Sequence, residues 1–252
     1  MYNPFSLEGK TILITGASSG IGRQCAIDCS KMGATIVAVG RNQERLVETL
    51  DLLEGNNNRQ YVFDLTNLDE IKQLVSQIVT ERGKLDGIIC AAGIEKSAPM
   101  KLLKPVDYEE ILKINTISSF ELIRQATSIK TINTPASIVL ISSITAVIAR
   151  TTTTAYSASK GALVSGARVM AAELSNRKIR VNCILPGTIL TPLMQKFLSE
   201  LSEEAYQNRI SGFPLGLGET TDVSNACIYL LSDASRWITG QNLVVDGGYT
   251  IQ

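Results

Sequence analysis

The chain contains no histidine. That absence excludes the Ser-His-Asp and Cys-His mechanisms, so proton transfer must come from Tyr, Lys, Ser, Asp, Glu or a cofactor. No CxxC pair occurs among the five cysteines, which stand at positions 25, 29, 90, 183 and 227. Cys25 and Cys29 can share a helix face, but two thiols without a histidine make a poor zinc site, and no metal is expected. Five reduced, buried thiols point instead to a cytoplasmic setting. There is no excess of charge of either sign, since 24 basic and 24 acidic side chains cancel, and no Lys/Arg run. No nucleic-acid partner is therefore expected. Long apolar runs are missing too: TILI (11–14), TIVAV (35–39) and SIVLI (137–141) fall far short of the roughly 20 residues of a membrane span. The first ten residues lack the apolar segment of a signal peptide.

What is present fits a globular core: 44% hydrophobic and 19% charged residues over 252 positions. A chain of this length buries roughly three quarters of its unfolded surface. Short β-rich runs at 11–15, 35–39, 59–63, 86–90, 137–142, 179–185 and 242–246 alternate with helical patterns at 21–32, 42–54, 68–82, 107–131, 156–176 and 220–232. Ile/Val-rich strands separated by long crossovers predict a single α/β domain over 1–252. Its core would be a doubly wound, Rossmann-type parallel sheet of about seven strands with helices on both faces. Ligands are then expected beyond the carboxyl ends of the strands. The irregular stretch 186–219 holds a helical insert at 192–210. A surface loop without function would explain it, but it leaves a strand end, so a substrate lid is expected over about 188–211.

The first strand runs into Thr15-Gly16-x3-Gly20-x-Gly22, a strand, a glycine turn and a helix start. Such a turn brings backbone close to a pyrophosphate, whose charge the helix N-terminus stabilises. It is neither the GxGxxG fingerprint nor a Walker A loop, and by itself it is also compatible with a structural turn. The second strand ends on Gly40 and Arg41. A carboxylate at position 40 would chelate the ribose hydroxyls of NAD and repel a 2′-phosphate. Its absence, with the planar cation of Arg41, favours NADP(H), although NAD(H) remains possible and Arg41 could equally be a solvated surface residue. Arg23 could add charge from the other side. Asp64, before Leu65, either caps the next helix or accepts from an adenine amino group. The small residues of CAAG (90–93) allow backbone to lie against a cofactor.

The stretch from Ser143 to Lys160 carries the chemistry. Tyr156 and Lys160, four apart on a helix, project from one face. An ammonium beside a phenol favours the phenolate and would bring the tyrosine toward proton exchange near neutrality. Ser143 can donate to the same substrate oxygen, and Asn115 can hold water or backbone for a proton relay. A Tyr-x3-Lys pair alone is usually solvated helix surface; its place beside the expected crevice sets this one apart.

With Thr15-Gly16-x3-Gly20-x-Gly22, Ala91-Ala92-Gly93, Asn115, Ser143, Tyr156-x3-Lys160, Pro186-Gly187 and Ile238-Thr239-Gly240-Gln241-x4-Asp246-Gly247-Gly248, the whole chain resembles the short-chain dehydrogenase/reductase family. Among its members it is closest in look to the 3-oxoacyl-carrier-protein reductases. The resemblance implies Tyr156 as general acid/base, Lys160 as the group that lowers its pKa and binds the nicotinamide ribose, Ser143 as carbonyl orienter and Asn115 as relay residue. It implies cofactor contacts from Gly16, Ser18, Ser19, Gly20, Ile21, Gly22, Asp64, Leu65, Ala92, Gly93, Pro186, Gly187 and Ile189, with Thr188 and Thr191 facing the carboxamide and pyrophosphate. Ala91 departs from the family's usual asparagine and removes one hydrogen bond.

The expected function is an NADP(H)-dependent oxidoreductase acting on a small-molecule carbonyl or secondary alcohol, such as a 3-oxoacyl thioester or similar ketone. The alternatives are an NAD(H)-dependent dehydrogenase of a sugar, polyol or hydroxy acid, and a dinucleotide-binding scaffold without turnover. The segments 94–98, 144–153 and 189–210 should line a pocket that is apolar or neutral with few fixed charges. Apolar and small residues on more than one face of 107–131 and 156–176 suit either a buried core or, as the resemblance implies, a homotetramer or homodimer.

Overall fold

The protein is described by a computed structural model covering residues 2–251. Met1 and Gln252, within the expected 1–252 bounds, lie outside the described residues. Seven strands form one all-parallel sheet: β1 (Thr11–Thr15), β2 (Thr35–Gly40), β3 (Arg59–Val62), β4 (Leu85–Cys90), β5 (Ile132–Ile141), β6 (Ile179–Pro186) and β7 (Asn242–Val245). Their order is β3-β2-β1-β4-β5-β6-β7. The chain therefore reverses direction across the sheet between β1 and β4, and a crevice opens at their carboxyl ends.

Two apolar layers cover the sheet because side chains alternate along each strand. Leu13, Ile88, Leu140 and Val181 face α3 (Ile71–Arg82), α5 (Ser118–Ala126) and α6 (Thr154–Leu174). Ile12, Ile14, Ile89 and Val139 face α1 (Gly20–Lys31) and α9 (Thr220–Leu231). The remaining helices are α2 (Gln43–Leu50), α4 (Pro105–Leu112), α7 (Pro192–Ser199) and α8 (Glu203–Ile210). All five cysteines are free and buried, and Cys25 of α1 meets Cys227 of α9 with the sulfurs 3.6 Å apart.

Four boundaries differ from the sequence reading. The helix expected over 107–131 begins at Pro105, is interrupted by a π turn at Lys113–Ile117 and ends at Ala126. The Thr131 hydroxyl donates to the Ala126 carbonyl at 2.7 Å, which closes that end and frees β5 to start at Ile132 rather than 137. The insert 192–210 is two helices, because Ser202 accepts the Ala205 amide and starts a new one. Helix α2 stops at Leu50 rather than 54.

Candidate active site

At the switch point the backbone leaves no room for side chains. A Cβ on Gly22 would lie 2.3 Å from the Gly16 carbonyl oxygen, and one on Gly16 (φ +67°) would lie 2.9 Å from the Ala92 nitrogen. The Thr15 hydroxyl accepts the amides of Ala91 and Ala92 at 3.1 and 3.2 Å. This bond ties the turn to the end of β4 although position 91 carries no amide side chain. Ser19 caps no amide with its side chain, and the first turn of α1 has no acidic residue. The positive helix end thus stays available to an anion.

A cleft of about 1060 Å³ runs from this turn across the sheet. Of the residues expected to touch cofactor or substrate, Gly16, Ser18 to Gly22, Arg41, Asp64, Leu65, Ala92, Gly93, Ser143, Tyr156, Lys160, Pro186, Gly187, Ile189 and Thr191 line it. At one end Gly40 packs so closely that its Cβ would be 3.3 Å from Ser18 Oγ, and the exposed Arg41 stands beside it. Asp64 accepts the Thr66 amide at 2.9 Å, a turn in the loop after β3 and not a cap of the next helix, whose N-cap is Asn67. That bond holds its carboxyl below the usual range, with smaller pulls from Arg41 and Lys113. Arg23 also lines the cleft, but its charge is shared with neighbours. Its guanidinium donates to the Ser18 and Arg45 carbonyls and pairs with Glu48 at 2.9 Å.

The other end is built on α6 and the π turn. Asn115 is fully buried behind the cleft: its Oδ1 accepts the Ile94 amide at 2.8 Å. Its Nδ2 donates to the Ile94 carbonyl at 2.9 Å and to Ser159 Oγ at 3.0 Å. One side chain thus fixes the loop after β4 against α6. Ser142 donates to the Lys160 carbonyl at 2.8 Å, and Lys160 Nζ donates to the Ile141 carbonyl at 2.8 Å. The ammonium lies 5.7 Å from the centre of the Tyr156 ring.

Burial, then Glu95, push the Tyr156 phenol up to about 12, against smaller opposite effects of the Ser143 hydroxyl and Arg150. Lys160 gives one of its three donors to Ile141, and burial pushes its own pKa down to about 8. Ser143 Oγ accepts from the Thr145 amide and hydroxyl at 3.2 and 3.0 Å, which leaves its own proton free to be donated outward.

One expected contact, Thr188, is displaced, while Thr191 stays on the cleft. Thr188 is buried away from the cleft, its hydroxyl accepting from Arg209 at 3.2 Å. Thr191 caps α7 through the Met194 amide, with its methyl 3.2 Å from a Cβ position on Gly20. Threonines 151–154 form a turn into α6, with Thr152 at φ +69° and Thr153 buried. Glu95, in the segment 94–98 expected to line the pocket, is a cleft residue. Its ion pair with Arg150 at 3.8 Å contradicts a pocket with few fixed charges. No local pattern links positions 55 residues apart, and only the fold joins them.

The family model described as Enoyl-(Acyl carrier protein) reductase matches residues 16–250. The 3-oxoacyl-[acyl-carrier-protein] reductase of Thermotoga maritima is 34% identical over 97% of this chain and 99% of its own length. Glucose 1-dehydrogenase of Gluconobacter oxydans is 32% identical over 96% and 92%. A solved short-chain type dehydrogenase/reductase from Mycobacterium ulcerans superposes with TM-score 0.90 at 31% identity, over 98% of this chain and 92% of that one. A 7α-hydroxysteroid dehydrogenase complexed with NADH gives 0.91 at 31%, over 98% of both. With the parallel sheet, the glycine turn at its switch point and Tyr156-x3-Lys160 beside the cleft, these matches make the chain a member of the short-chain dehydrogenase/reductase family of NAD(P)-dependent oxidoreductases.

Proposed function

We propose that the protein interconverts a ketone and a secondary alcohol, using NADP(H) in preference to NAD(H), with Tyr156 as general acid/base. One observation carries the reading: Ser143, Tyr156 and Lys160 meet at one end of a single cleft whose other end presents Gly40 and Arg41. The bound nicotinamide supplies or takes the hydride. The glycine turn with Ser18, Ser19 and Ile21 would hold the pyrophosphate, Asp64 and Leu65 the adenine side. Ala92, Gly93 and the segment from Pro186 to Thr191 would hold the nicotinamide half, Thr188 contributing backbone only.

In reduction, the Tyr156 hydroxyl protonates the carbonyl oxygen and Ser143 donates to the same atom. A phenol at about 12 stays protonated at neutral pH, which suits the acid role. The reverse direction needs the phenolate, which the Ser143 hydroxyl favours. Asn115 positions the loop 93–94 and Lys160's helix rather than reaching the reacting atoms. Residues 188–211 would act as a lid. A 3-oxoacyl thioester is one ketone this reading admits, supported by the Thermotoga relative. An NAD(H)-dependent dehydrogenase of a sugar, polyol or hydroxy acid is the second reading, favoured by the Gluconobacter relative.

Tyr156→Phe is expected to retain cofactor binding and lose about 10²–10⁴-fold in kcat, measured by cofactor oxidation with a ketone panel. More than about a tenth of wild-type turnover would remove Tyr156 from the acid/base role.

The pH profile tests the same group from its surroundings. Glu95 disfavours the phenolate and Arg150 favours it. Glu95→Gln should therefore move the rising limb of alcohol oxidation to lower pH, and Arg150→Gln should move it to higher pH. Shifts of one sign, or none, would mean that the limb is not the phenol.

Cofactor choice is read from kcat/KM with NADPH and NADH. A charged hydrogen bond from Arg41 to a 2′-phosphate is worth about 1.5–3 kcal/mol, and solvent screening at this exposed position trims the expected preference to about tenfold. Arg41→Ala should abolish it through the KM for NADPH alone. A preference untouched by the substitution would take Arg41 out of the cofactor site.

Assembly follows from surface left uncovered. Ile117 is 47% and Val169 56% exposed on the face formed by the π turn and α6. We propose that a homodimer or homotetramer covers them. Light scattering at micromolar concentration should return a multiple of the chain mass, and a monomer there would refute this.

A further inference from the structure

Three charged side chains outside the catalytic set converge beyond Tyr156. Glu95 stands in the cleft wall, and Arg150 reaches it from the loop before α6 at 3.8 Å. The two loops are joined by the Ala98 amide donating to the Thr152 carbonyl at 2.8 Å. From the opposite side α8 brings Arg209, whose Nη2 donates to Thr188, between two cleft residues, Gly187 and Ile189. The end of α8 is wedged in place: Phe213 stacks on Tyr249 with centroids 4.5 Å apart. A Cβ on Gly187 would lie 3.1 Å from the Phe213 ring.

The charges do not cancel. Glu95 offsets Arg150, while Arg209 forms no ion pair among the described residues. Its Nε is buried and has no hydrogen-bond partner. The buried Nε and the Thr188-bound Nη2 anchor the guanidinium, and this partly buried cation is left without an acidic partner among the described residues. Arg23 and Arg82 also bury an unpartnered Nε. However, Arg23 is neutralised by Glu48, and Arg82 closes α3 at the opposite end of the sheet. A partly buried cation without a counter-ion, close to the cleft that holds Tyr156, marks a place for an anion of the ligand.

We infer that Arg209, with Arg150 beside it, binds a carboxylate carried by the substrate, so that the ketone is an oxo acid. Glu95 keeps a second carboxylate away from Arg150 and directs it to Arg209. The inference rests on the ketone-reducing reading and narrows its substrate class.

The experiment compares unbranched oxo acids of increasing length with their methyl esters, by steady-state kinetics and by calorimetric binding to the cofactor-loaded protein. Wild type should prefer the best acid over its ester by about ten- to hundredfold in kcat/KM, the difference lying in KM. Arg209→Gln should raise KM for the acid alone, and Arg209→Lys, which keeps charge without the fork, should recover part. The lysine variant also serves if the glutamine variant fails to fold, since its own KM for the acid must exceed that of wild type. Esters as good as acids in wild type, or a preference unchanged in the variants, would overturn the carboxylate site and leave ketone reduction standing. Acid binding that disappears in Arg209→Gln, with no ketone turned over, would sustain the site and sink the reduction reading. Absence of acid binding and acid preference in wild type would overturn the site.

Discussion

The architecture depends on the contact between the Gly16 carbonyl and the α-carbon of Gly22, where a single added carbon would sit at 2.3 Å. Because β1 turns into α1 this tightly, the helix N-terminus points along the carboxyl edge of the sheet and not away from it. The same turn presses on Ala92, so the ends of β1 and β4 are fixed relative to each other, with Thr15 bonding both amides of the β4 exit. The cleft exists because these two strand ends diverge into helices on opposite faces, as the sheet order demands. Packing at the switch point and room for a dinucleotide are thus one constraint.

A second, polar constraint holds the catalytic end. Leaving buried amide or hydroxyl groups unpaired would be costly, and here each pairs with backbone from a different element. Asn115 joins the Ile94 backbone to Ser159; Thr116 donates to the Ser159 carbonyl at 2.9 Å; Ser142 donates to the Lys160 carbonyl. The π turn at Lys113–Ile117 supplies this geometry, and such turns concentrate at functional sites. Asn115 thus ties the loop after β4 to α6, the helix that carries Tyr156 and Lys160.

The fold was legible because its signals are local. Short continuously apolar strands, the crossovers between them and the glycine spacing are read locally, and they point to a parallel sheet. The cleft's dinucleotide half was legible for the same reason: Gly16 to Gly22, Arg41 and Asp64 each stand at a strand end. The segments 94–98, 144–153 and 189–210 could be read as pocket wall, but the charges they bring together could not. Glu95, Arg150 and Arg209 come from three loops or helices with no shared spacing, and each alone reads as a solvated charge. Arg23 was legible as a cleft residue, but its partner Glu48 sits one helix away and nothing in the local pattern announces the pair. The protonation of Tyr156 was also illegible, because a Tyr-x3-Lys spacing gives proximity but neither the burial nor the Ile141 carbonyl that engages Lys160.

Burial drives both proton-transfer groups toward neutrality, the phenol up to about 12 and the lysine down to about 8. In such surroundings charges act more strongly than they would in water, so Glu95 and Arg150 at the rim reach Tyr156. Substrate recognition and proton transfer then share one field. A negative group brought to this side disfavours the phenolate, as Glu95 does, and keeps the proton on Tyr156. A substrate carboxylate at Arg209 would act in the same sense, holding the tyrosine in the acid form that carbonyl reduction uses. The guanidiniums oppose that effect but do not cancel it at the phenol, where Glu95 outweighs Arg150. By this physics, an anion-binding rim suits the reductive direction better than the oxidative one.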